Sequence, residues 1–249
     1  MEGGAQTLLR RLGVVVPARD ERLGIGCCLL ALDEAARRAR CGLEVVVVLD
    51  SCVDGTDAVV ASLLPTLASS VHRVEIEAAS VGTARRVGMS HLLDILGPGD
   101  HWVSTTDADS AVPPSWFRRQ LTHRAAGASL VAGTVHVPRW EGRQRLGPRW
   151  EQEYAADGHR HVHGANLSFL STAYRRAGGF PDLTSEEDVA LVREFARRRE
   201  QIAWATDLSV ATSPRVVGRA PNGFAAHLNQ LANAVPNEHV RGVAAMEAW

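Results

Sequence analysis

Residues 101–110, HWVSTTDADS, decide how the rest of the chain is interpreted. The apolar and β-branched run from Trp102 to Thr106 predicts a strand that is buried in a sheet. Asp107 and Asp109 follow at its carboxyl end, where open α/β sheets bind their ligands. Two carboxylates at such an edge can share Mg²⁺ or Mn²⁺, because these cations prefer oxygen ligands and accept phosphate oxygens in their shell. An isolated Asp-x-Asp is also compatible with a solvated loop or with a helix cap.

The overall composition is typical of a soluble globular protein. The 249 residues are 45% hydrophobic and 22% charged, with a net charge of −1, which gives no reason to expect nucleic acid as a partner. No apolar run approaches the roughly 20 residues that span a bilayer, so we expect no transmembrane segment. The N-terminus, MEGGAQTLLRRLGVVVP, does not resemble a signal peptide. We therefore expect a cytoplasmic protein, either a monomer or a homodimer.

The four cysteines are predicted to be reduced and mostly buried thiols rather than zinc ligands, because their spacing is not that of a metal site. They are Cys27, Cys28, Cys41 and Cys52.

Strands and helices alternate through the first 110 residues. Apolar runs predict strands at 12–16, 43–49, 71–77 and 102–106, and the intervening segments predict helices at 22–40, 57–69 and 80–96. Asp20 is expected to cap the first helix. Because each strand ends in a polar or acidic loop, the pattern predicts an α/β fold with a parallel, doubly wound sheet.

The second half continues this alternation less regularly. Strands are predicted at 129–137, 167–170, 201–205 and 208–212, and helices at 113–126, 171–177 and 185–198, the last one capped by Ser185. Residues 139–158 are rich in Arg, Trp and Glu, and are interpreted either as a lid on the acceptor side or as a solvated surface helix. We expect one domain over residues 1–249, with a nucleotide-binding half at 12–110, an acceptor-binding half at 111–220 and a C-terminal tail at 221–249.

Several motifs of the first half resemble, in the same order, those of the family 2 glycosyltransferases. VVVPARDE (14–21) resembles their opening strand and nucleotide-base loop, and VVVVLDSCVDGT (45–56) resembles the second strand with its acidic loop. SVGTARRVGM (80–89) resembles a glycine-and-arginine segment, although Arg86 stands where Asn is common. TTDADS (105–110) resembles the metal-binding Asp-x-Asp of the family.

Motifs of the second half resemble the acceptor side of the same family. They are HGANLSF (163–169), AGGF (177–180) and EEDVALVRE (186–194), while the terminal Q-x-x-R-W element of the family is not evident. The resemblance implies a single GT-A domain with a Rossmann-like, mostly parallel sheet flanked by helices and a small acceptor-side subregion. It also implies an inverting, metal-assisted hexosyltransferase that moves a sugar from a nucleotide-diphosphate sugar to a hydroxyl of a small-molecule, glycan or lipid-linked acceptor.

The chemistry of such a transfer suggests roles for the matching residues. A Mg²⁺ or Mn²⁺ ion held by Asp109, with Asp107 on the metal or on the ribose, would stabilise the negative charge of the leaving diphosphate. His163 is a further candidate ligand. Asp188 matches the position of the family's catalytic base, with Glu187 as its nearest competitor. Without the resemblance, both acids would be interpreted as favourable charges in a first helical turn.

Sixteen residues are expected to contact the donor. They are Pro17, Ala18, Arg19, Glu21, Asp50, Asp54, Gly82, Arg85, Asp107, Ala108, Gly164, Asn166, Glu187, Arg193, Arg215 and Arg219.

Some of these residues have a specific expected role. Arg85, Arg215 and Arg219 would supply positive charge to the diphosphate. Glu21 and Asp50 would bind the base or the ribose, although Asp50 would serve equally as a turn cap.

The remaining roles concern a stacked ring of the donor, its sugar and the catalytic base. Ala18 would leave room for a stacked ring, and Gly164 would let the backbone approach the sugar. Asn166 would make a polar contact, and Arg193 would pair with Asp188 or with phosphate.

Three other classes of protein share parts of this pattern. A haloacid-dehalogenase-type phosphatase also carries Asp-x-Asp after a strand, but it uses a downstream lysine, and all 27 basic residues here are arginine. A sugar-phosphate nucleotidyltransferase would need a glycine-rich loop after Val16, which is missing. A nucleotide-sugar-binding module without catalysis would keep Asp50 and Asp109 but would not need Asp188.

Overall fold

The protein is described from a computed structural model, which covers residues 11–78, 80–138, 140, 147–148 and 160–213. Its strands are β1 (Arg11–Ala18), β2 (Gly42–Asp50), β3 (Ser70–Ile76), β4 (Trp102–Thr105), β5 (Leu130–His136), β6 (Leu167–Leu170) and β7 (Ile202–Ala211). Its α-helices are α1 (Ile25–Ala39), α2 (Thr56–Leu63), α3 (Val81–Leu96), α4 (Trp116–Ala125), α5 (Ser171–Arg176) and α6 (Glu187–Arg197). Two short 3₁₀ helices span Leu64–Thr66 and Gly164–Asn166.

The seven strands form one sheet in the order β3-β2-β1-β4-β6-β5-β7. Neighbours from β3 to β4 are parallel, β6 is antiparallel to both β4 and β5, and β7 is parallel to β5. The predicted α/β class with a mostly parallel sheet is therefore confirmed. The carboxyl ends of β1, β2 and β4 lie at one edge of the sheet, which brings the three predicted loops together.

Both faces of the sheet are covered by helices, which explains why β2 is buried from Leu43 to Asp50. Because side chains alternate along a strand, Val14 and Val16 face one layer and Val15 faces the other. The first layer contains α1 and α4, and the second contains α3, α5 and α6. Gly88 lets α3 pack tightly on the sheet, because a Cβ there would lie 2.6 Å from Val15 Cγ1.

Several boundaries and caps differ from the prediction. The second helix ends at Leu63 and continues only as a 3₁₀ turn that contains Pro65, since proline cannot donate the next helical hydrogen bond. The predicted strands at 201–205 and 208–212 are one strand, β7, with a register shift opposite Gly133 and Thr134. Of the four cysteines, only Cys28 is fully buried, and Cys27 is exposed.

Neither predicted helix cap is formed. Asp20 does not cap α1, which follows Gly24; its carboxylate instead accepts a hydrogen bond from the Val53 amide at 2.8 Å. The residue before α6 is Glu186 rather than Ser185, and its φ of 61° is left-handed.

The remaining predictions about organisation stay predictions. Most of the segment 139–158 and everything after residue 213 lie outside the described residues. The division into two halves and a tail is likewise not tested. In the described part of the chain, no helix has the length and the apolar character that a membrane crossing requires.

Candidate functional site

The loops after β1 and β2 are joined by hydrogen bonds at the predicted ligand edge. The Glu21 amide donates to Thr56 Oγ1 at 2.7 Å, and the Arg22 amide donates to Asp54 Oδ2 at 2.9 Å. Asp54 also accepts from the Thr56 amide at 2.9 Å. These bonds lower the pKa of Asp54, although its partial desolvation opposes them. Asp54 was predicted to bind the donor, and this stays a prediction; in the structure its carboxylate holds the turn that begins α2.

Asp50 lies at the end of β2 and is buried, with Oδ1 accepting from the Ala78 amide at 3.0 Å and from Ser51 Oγ at 3.1 Å. The alternative role as a turn cap is therefore present in the structure. Glu21 is also largely buried, and it makes further interactions within the protein. Contact of Asp50 and Glu21 with the nucleobase or the ribose stays a prediction.

Three neighbouring residues at the end of β1 and the start of the loop after it differ in exposure. Ala18 is buried, Pro17 is half-buried and Arg19 is exposed. Of the three, only Arg19 is therefore exposed to solvent.

The Asp-x-Asp motif directly follows β4. The Asp107 side chain is 37% exposed, Ala108 is buried and Asp109 is half-buried. The Ser110 amide donates to the Asp107 carbonyl at 3.0 Å, which closes a turn and keeps both carboxylates at the sheet edge.

Arg85 is the buried cation of this site. Its side chain is 4% exposed, and Nη2 donates to Asp107 Oδ1 at 2.6 Å while Nη1 donates to Glu187 Oε1. Its Nε donates to Thr105 Oγ1 at 3.3 Å. Arg85 was predicted to supply positive charge to the diphosphate, and this stays a prediction; its partners in the structure are two carboxylates and a hydroxyl. A buried charge needs such partners, because an unpaired one would cost several kcal/mol.

Asp188 lies one residue after Glu187, in the first turn of α6. Its Oδ2 accepts from the Gly164 amide at 2.6 Å, and its Oδ1 accepts from the Val189 amide at 2.8 Å. Burial raises the pKa of Asp188, while the positive charge of Arg85 and the two amide donors act in the opposite direction. The Asp-x-Asp and the predicted base therefore share one electrostatic neighbourhood, centred on Arg85.

Three residues predicted to contact the donor make close contacts within the protein, and their contact with a donor stays a prediction. Asn166 is 1% exposed; its Nδ2 donates to the carbonyls of Thr134 and Leu208, and its Oδ1 accepts from Trp116 Nε1. Its buried amide joins β5, β7 and α4.

The other two are glycines that permit close packing within the protein. A Cβ on Gly164 would lie 2.3 Å from Arg85 Nη2, so the close approach in the structure is to the guanidinium. A Cβ on Gly82 would lie 2.2 Å from the Pro181 carbonyl, and its amide donates to the Leu183 carbonyl at 3.0 Å. Gly82 thus seats α3 against the loop before α6.

Four further predicted residues also remain untested. His163 stacks on His161 with ring centroids 6.2 Å apart, and it precedes the Gly164 amide that binds Asp188. Arg193 is exposed on α6, and no ion pair between it and Asp188 occurs among the residues described. Arg215 and Arg219 lie outside the described residues.

The predictions missed two residues that support the Asp-x-Asp backbone, Gly24 and Cys28. Gly24 interrupts a predicted helix, which is a weak signal of close packing. No local sequence pattern indicates the role of Cys28, because its thiol contacts the carbonyl of Asp107, which is 79 positions away.

The residues present fit a cation that is shared with a substrate. Across the described ranges, no group of three His, Cys, Asp or Glu side chains is placed to hold a metal ion. Mg²⁺ and similar cations often take one or two protein carboxylates and complete their shell with phosphate oxygens and water. Asp109 and Asp107 at the sheet edge supply such a partial set.

Solved structures of similar fold carry nucleotide sugars. TarS from S. aureus, residues 1–349 in complex with UDP-GlcNAc, aligns with a TM-score of 0.63 at 15% identity, covering 89% of this chain and 70% of that one. The mannosyltransferase PcManGT from Pyrobaculum calidifontis, in complex with GDP-Man and Mn²⁺, aligns with a TM-score of 0.65 at 23% identity, covering 86% of this chain and 59% of that one. At these identities the likeness shows the GT-A fold. No curated protein sequence matches the chain.

The sequence itself also matches a family profile, that of glycosyl transferase family 2, over residues 13–177. This span is well over half of the chain and includes the Asp-x-Asp, Arg85 and the Gly164 amide. The chain belongs to glycosyl transferase family 2.

Proposed function

We propose that the protein transfers a sugar from a nucleotide-diphosphate sugar to an acceptor hydroxyl, with inversion and with the help of Mg²⁺ or Mn²⁺. The observation that carries the proposal is the set of contacts around Arg85, which place the Asp-x-Asp carboxylate Asp107 and the α6 carboxylates in one cluster. A donor bound at the Asp-x-Asp and an acceptor deprotonated by a carboxylate of α6 would meet in this cluster. The fold shared with structures that hold UDP-GlcNAc and GDP-Man supports a nucleotide-sugar donor.

Asp188 is the proposed catalytic base. It removes the proton of the acceptor hydroxyl, whose oxygen forms a bond to the anomeric carbon while the bond from that carbon to the diphosphate oxygen breaks. The electron pair of the broken bond leaves with the nucleoside diphosphate, and attack from the opposite side inverts the configuration. Burial favours this role, because a raised pKa makes Asp188 a stronger proton acceptor than an exposed aspartate.

Asp109, together with Asp107, would hold the cation, which neutralises charge on the leaving diphosphate. Asp107 also accepts from Arg85, so its carboxylate has a fixed orientation before any ligand arrives. Glu187 pairs through Oε1 with buried Arg85 and is therefore assigned a structural role rather than that of the catalytic base.

Calorimetric titration of UDP and of GDP, each with Mn²⁺ and again in EDTA, tests the donor site. We expect tighter binding with the cation and a preference for one nucleotide. Equal affinity in EDTA would contradict the metal assignment.

Hydrolysis of nucleotide sugars by wild type and by Asp188→Asn then separates an enzyme from a binding module. A module that only binds would show no difference between the two proteins. The exposed neighbour Glu186 supplies the control variant, Glu186→Gln.

A further inference from the structure

The first turn of α1 lies directly against the backbone of the Asp-x-Asp. A Cβ on Gly24 would lie 2.9 Å from the Ala108 carbonyl oxygen and 2.9 Å from Asp109 Cα. Real Cβ atoms essentially never approach other heavy atoms so closely. Any side chain at residue 24 would thus push α1 away from the segment that bears Asp109.

The backbone conformation does not itself require glycine at this position. Gly24 has φ −100° and ψ −38°, which any L-residue adopts without strain. The missing side chain is needed only for the close approach of two backbone segments. A substitution at Gly24 therefore reports on that contact alone.

A second contact lies one helical turn further along α1. The thiol of Cys28 donates to the Asp107 carbonyl at 3.4 Å, and Cys28 is 1% exposed. Residues four apart lie on the same face of a helix, so Gly24 and Cys28 face the same segment.

We propose that Gly24 and Cys28 are positioning residues that fix the backbone of residues 107–109 and thereby place the Asp109 carboxylate for the cation and the diphosphate. This inference rests on the proposed function, because it assigns a purpose to the support of a metal-binding carboxylate. Cation–oxygen distances are tightly constrained, at about 2.0–2.1 Å for Mg²⁺, so a small displacement of Asp109 weakens binding. Residues that orient metal ligands from outside the coordination shell typically change metal affinity by about 10- to 100-fold.

The chain offers a matched control in the same helix. A Cβ on Gly26 would meet only Leu63 Cδ1 and Val59 Cγ1, both at the ordinary contact distance of 3.7 Å. Gly26→Ala therefore adds the same methyl group to α1 without touching the Asp-x-Asp. Cys27, which is exposed, provides the corresponding control for Cys28.

The experiment has two measurements, both made with whichever of UDP and GDP binds wild type more tightly. The first is the affinity for Mn²⁺ at saturating nucleotide, and the second is the affinity for the nucleotide in EDTA. We expect Gly24→Ala to weaken Mn²⁺ binding about 10- to 100-fold, with little change in EDTA. Gly26→Ala should match wild type in both measurements. Equal Mn²⁺ affinities for Gly24→Ala and Gly26→Ala would overturn the inference.

Cys28 gives an independent test that does not insert bulk into a packed contact. Cys28→Ala should weaken Mn²⁺ binding, as Gly24→Ala does. Cys28→Ser should retain part of the Mn²⁺ affinity, because its hydroxyl can donate the same hydrogen bond. Cys27→Ala should leave the Mn²⁺ affinity unchanged. If Gly24→Ala fails to fold, the Cys28 series decides the question, and equal affinities across that series would overturn the inference. Wild type without any Mn²⁺ dependence would instead defeat the proposed function.

Discussion

The Gly164 amide donates a hydrogen bond of 2.6 Å to Asp188 Oδ2. The same glycine packs against the Arg85 guanidinium, where a Cβ would not fit. Gly164 therefore orients the proposed base, Asp188, and also leaves space for the Arg85 guanidinium. Because Arg85 also binds Asp107, the geometry of the base and the geometry of the Asp-x-Asp depend on each other.

Replacement of the proposed base should abolish most of the activity. Asp188→Asn keeps the shape of the side chain but removes its ability to accept a proton, so we expect kcat to fall by about 10²- to 10⁴-fold. Steady-state transfer assays over a range of acceptor concentrations would measure it. The control variant Glu186→Gln should retain wild-type kcat, and a similar loss in both variants would point away from Asp188.

The activity should also depend on pH in a defined direction. The base acts only when it is ionised, and burial raises the pKa of Asp188 above that of an ordinary aspartate. Activity should therefore be lost, as pH falls, at a higher pH than the value of about 3.9 typical of aspartate. The pH profile of kcat/KM checks this expectation, and an acid limb at or below that value would contradict it.

Arg85 should contribute strongly to the stability of the fold. Arg85→Met leaves the buried Glu187 carboxylate without its cation, so we expect a loss of about 3–5 kcal/mol in the free energy of unfolding. Adding Glu187→Gln should recover part of that loss, because it removes the unpaired buried charge.

Urea denaturation would measure the free energy of unfolding in each of these variants. The exposed pair of Arg73 and Asp57 provides the comparison, since Arg73→Met should cost less than about 1 kcal/mol. Equal losses of unfolding free energy in Arg85→Met and Arg73→Met would show that the buried cluster stabilises the fold no more than the exposed ion pair does.

Asn166 should affect stability rather than donor affinity. Asn166→Ala leaves Trp116 Nε1 and the carbonyls of Thr134 and Leu208 without their partner. A buried polar group that loses its partner costs about 1–3 kcal/mol, so the variant should unfold at clearly lower urea concentration. Below the unfolding transition, calorimetry should show that the variant binds the nucleotide about as tightly as wild type. A loss of nucleotide affinity without a loss of stability would instead favour contact between Asn166 and the donor.

Much of the fold followed from local patterns in the sequence. The apolar runs that became β1, β2 and β4 are buried on both faces, and such runs are unambiguous when polar loops separate them. The ends of helices were less predictable: Asp20 is a good capping residue, but a tertiary contact with Val53 takes its carboxylate instead. Local capping propensity was overridden there by packing between two loops.

The site was predictable in its residue types but not in its contacts. The sequence pointed to Arg85, Asp107, Glu187 and Asp188, yet the assignment of Arg85 to a phosphate rested on charge alone. Its burial among carboxylates depends on residues 22 and 102 positions away, and no local pattern contains that information. Gly164 and Asn166 illustrate the same point, because their motif was recognised while their partners are protein groups.

The ladder between β4 and β6 joins the two parts of the chain residue by residue, from Trp102 opposite Leu170 to Thr105 opposite Leu167. A hinge rotation that opened the cleft by swinging one half away from the other would have to break these backbone hydrogen bonds in the middle of the sheet. Under the proposed function, donor binding and nucleotide release would therefore have to occur without separating β4 from β6.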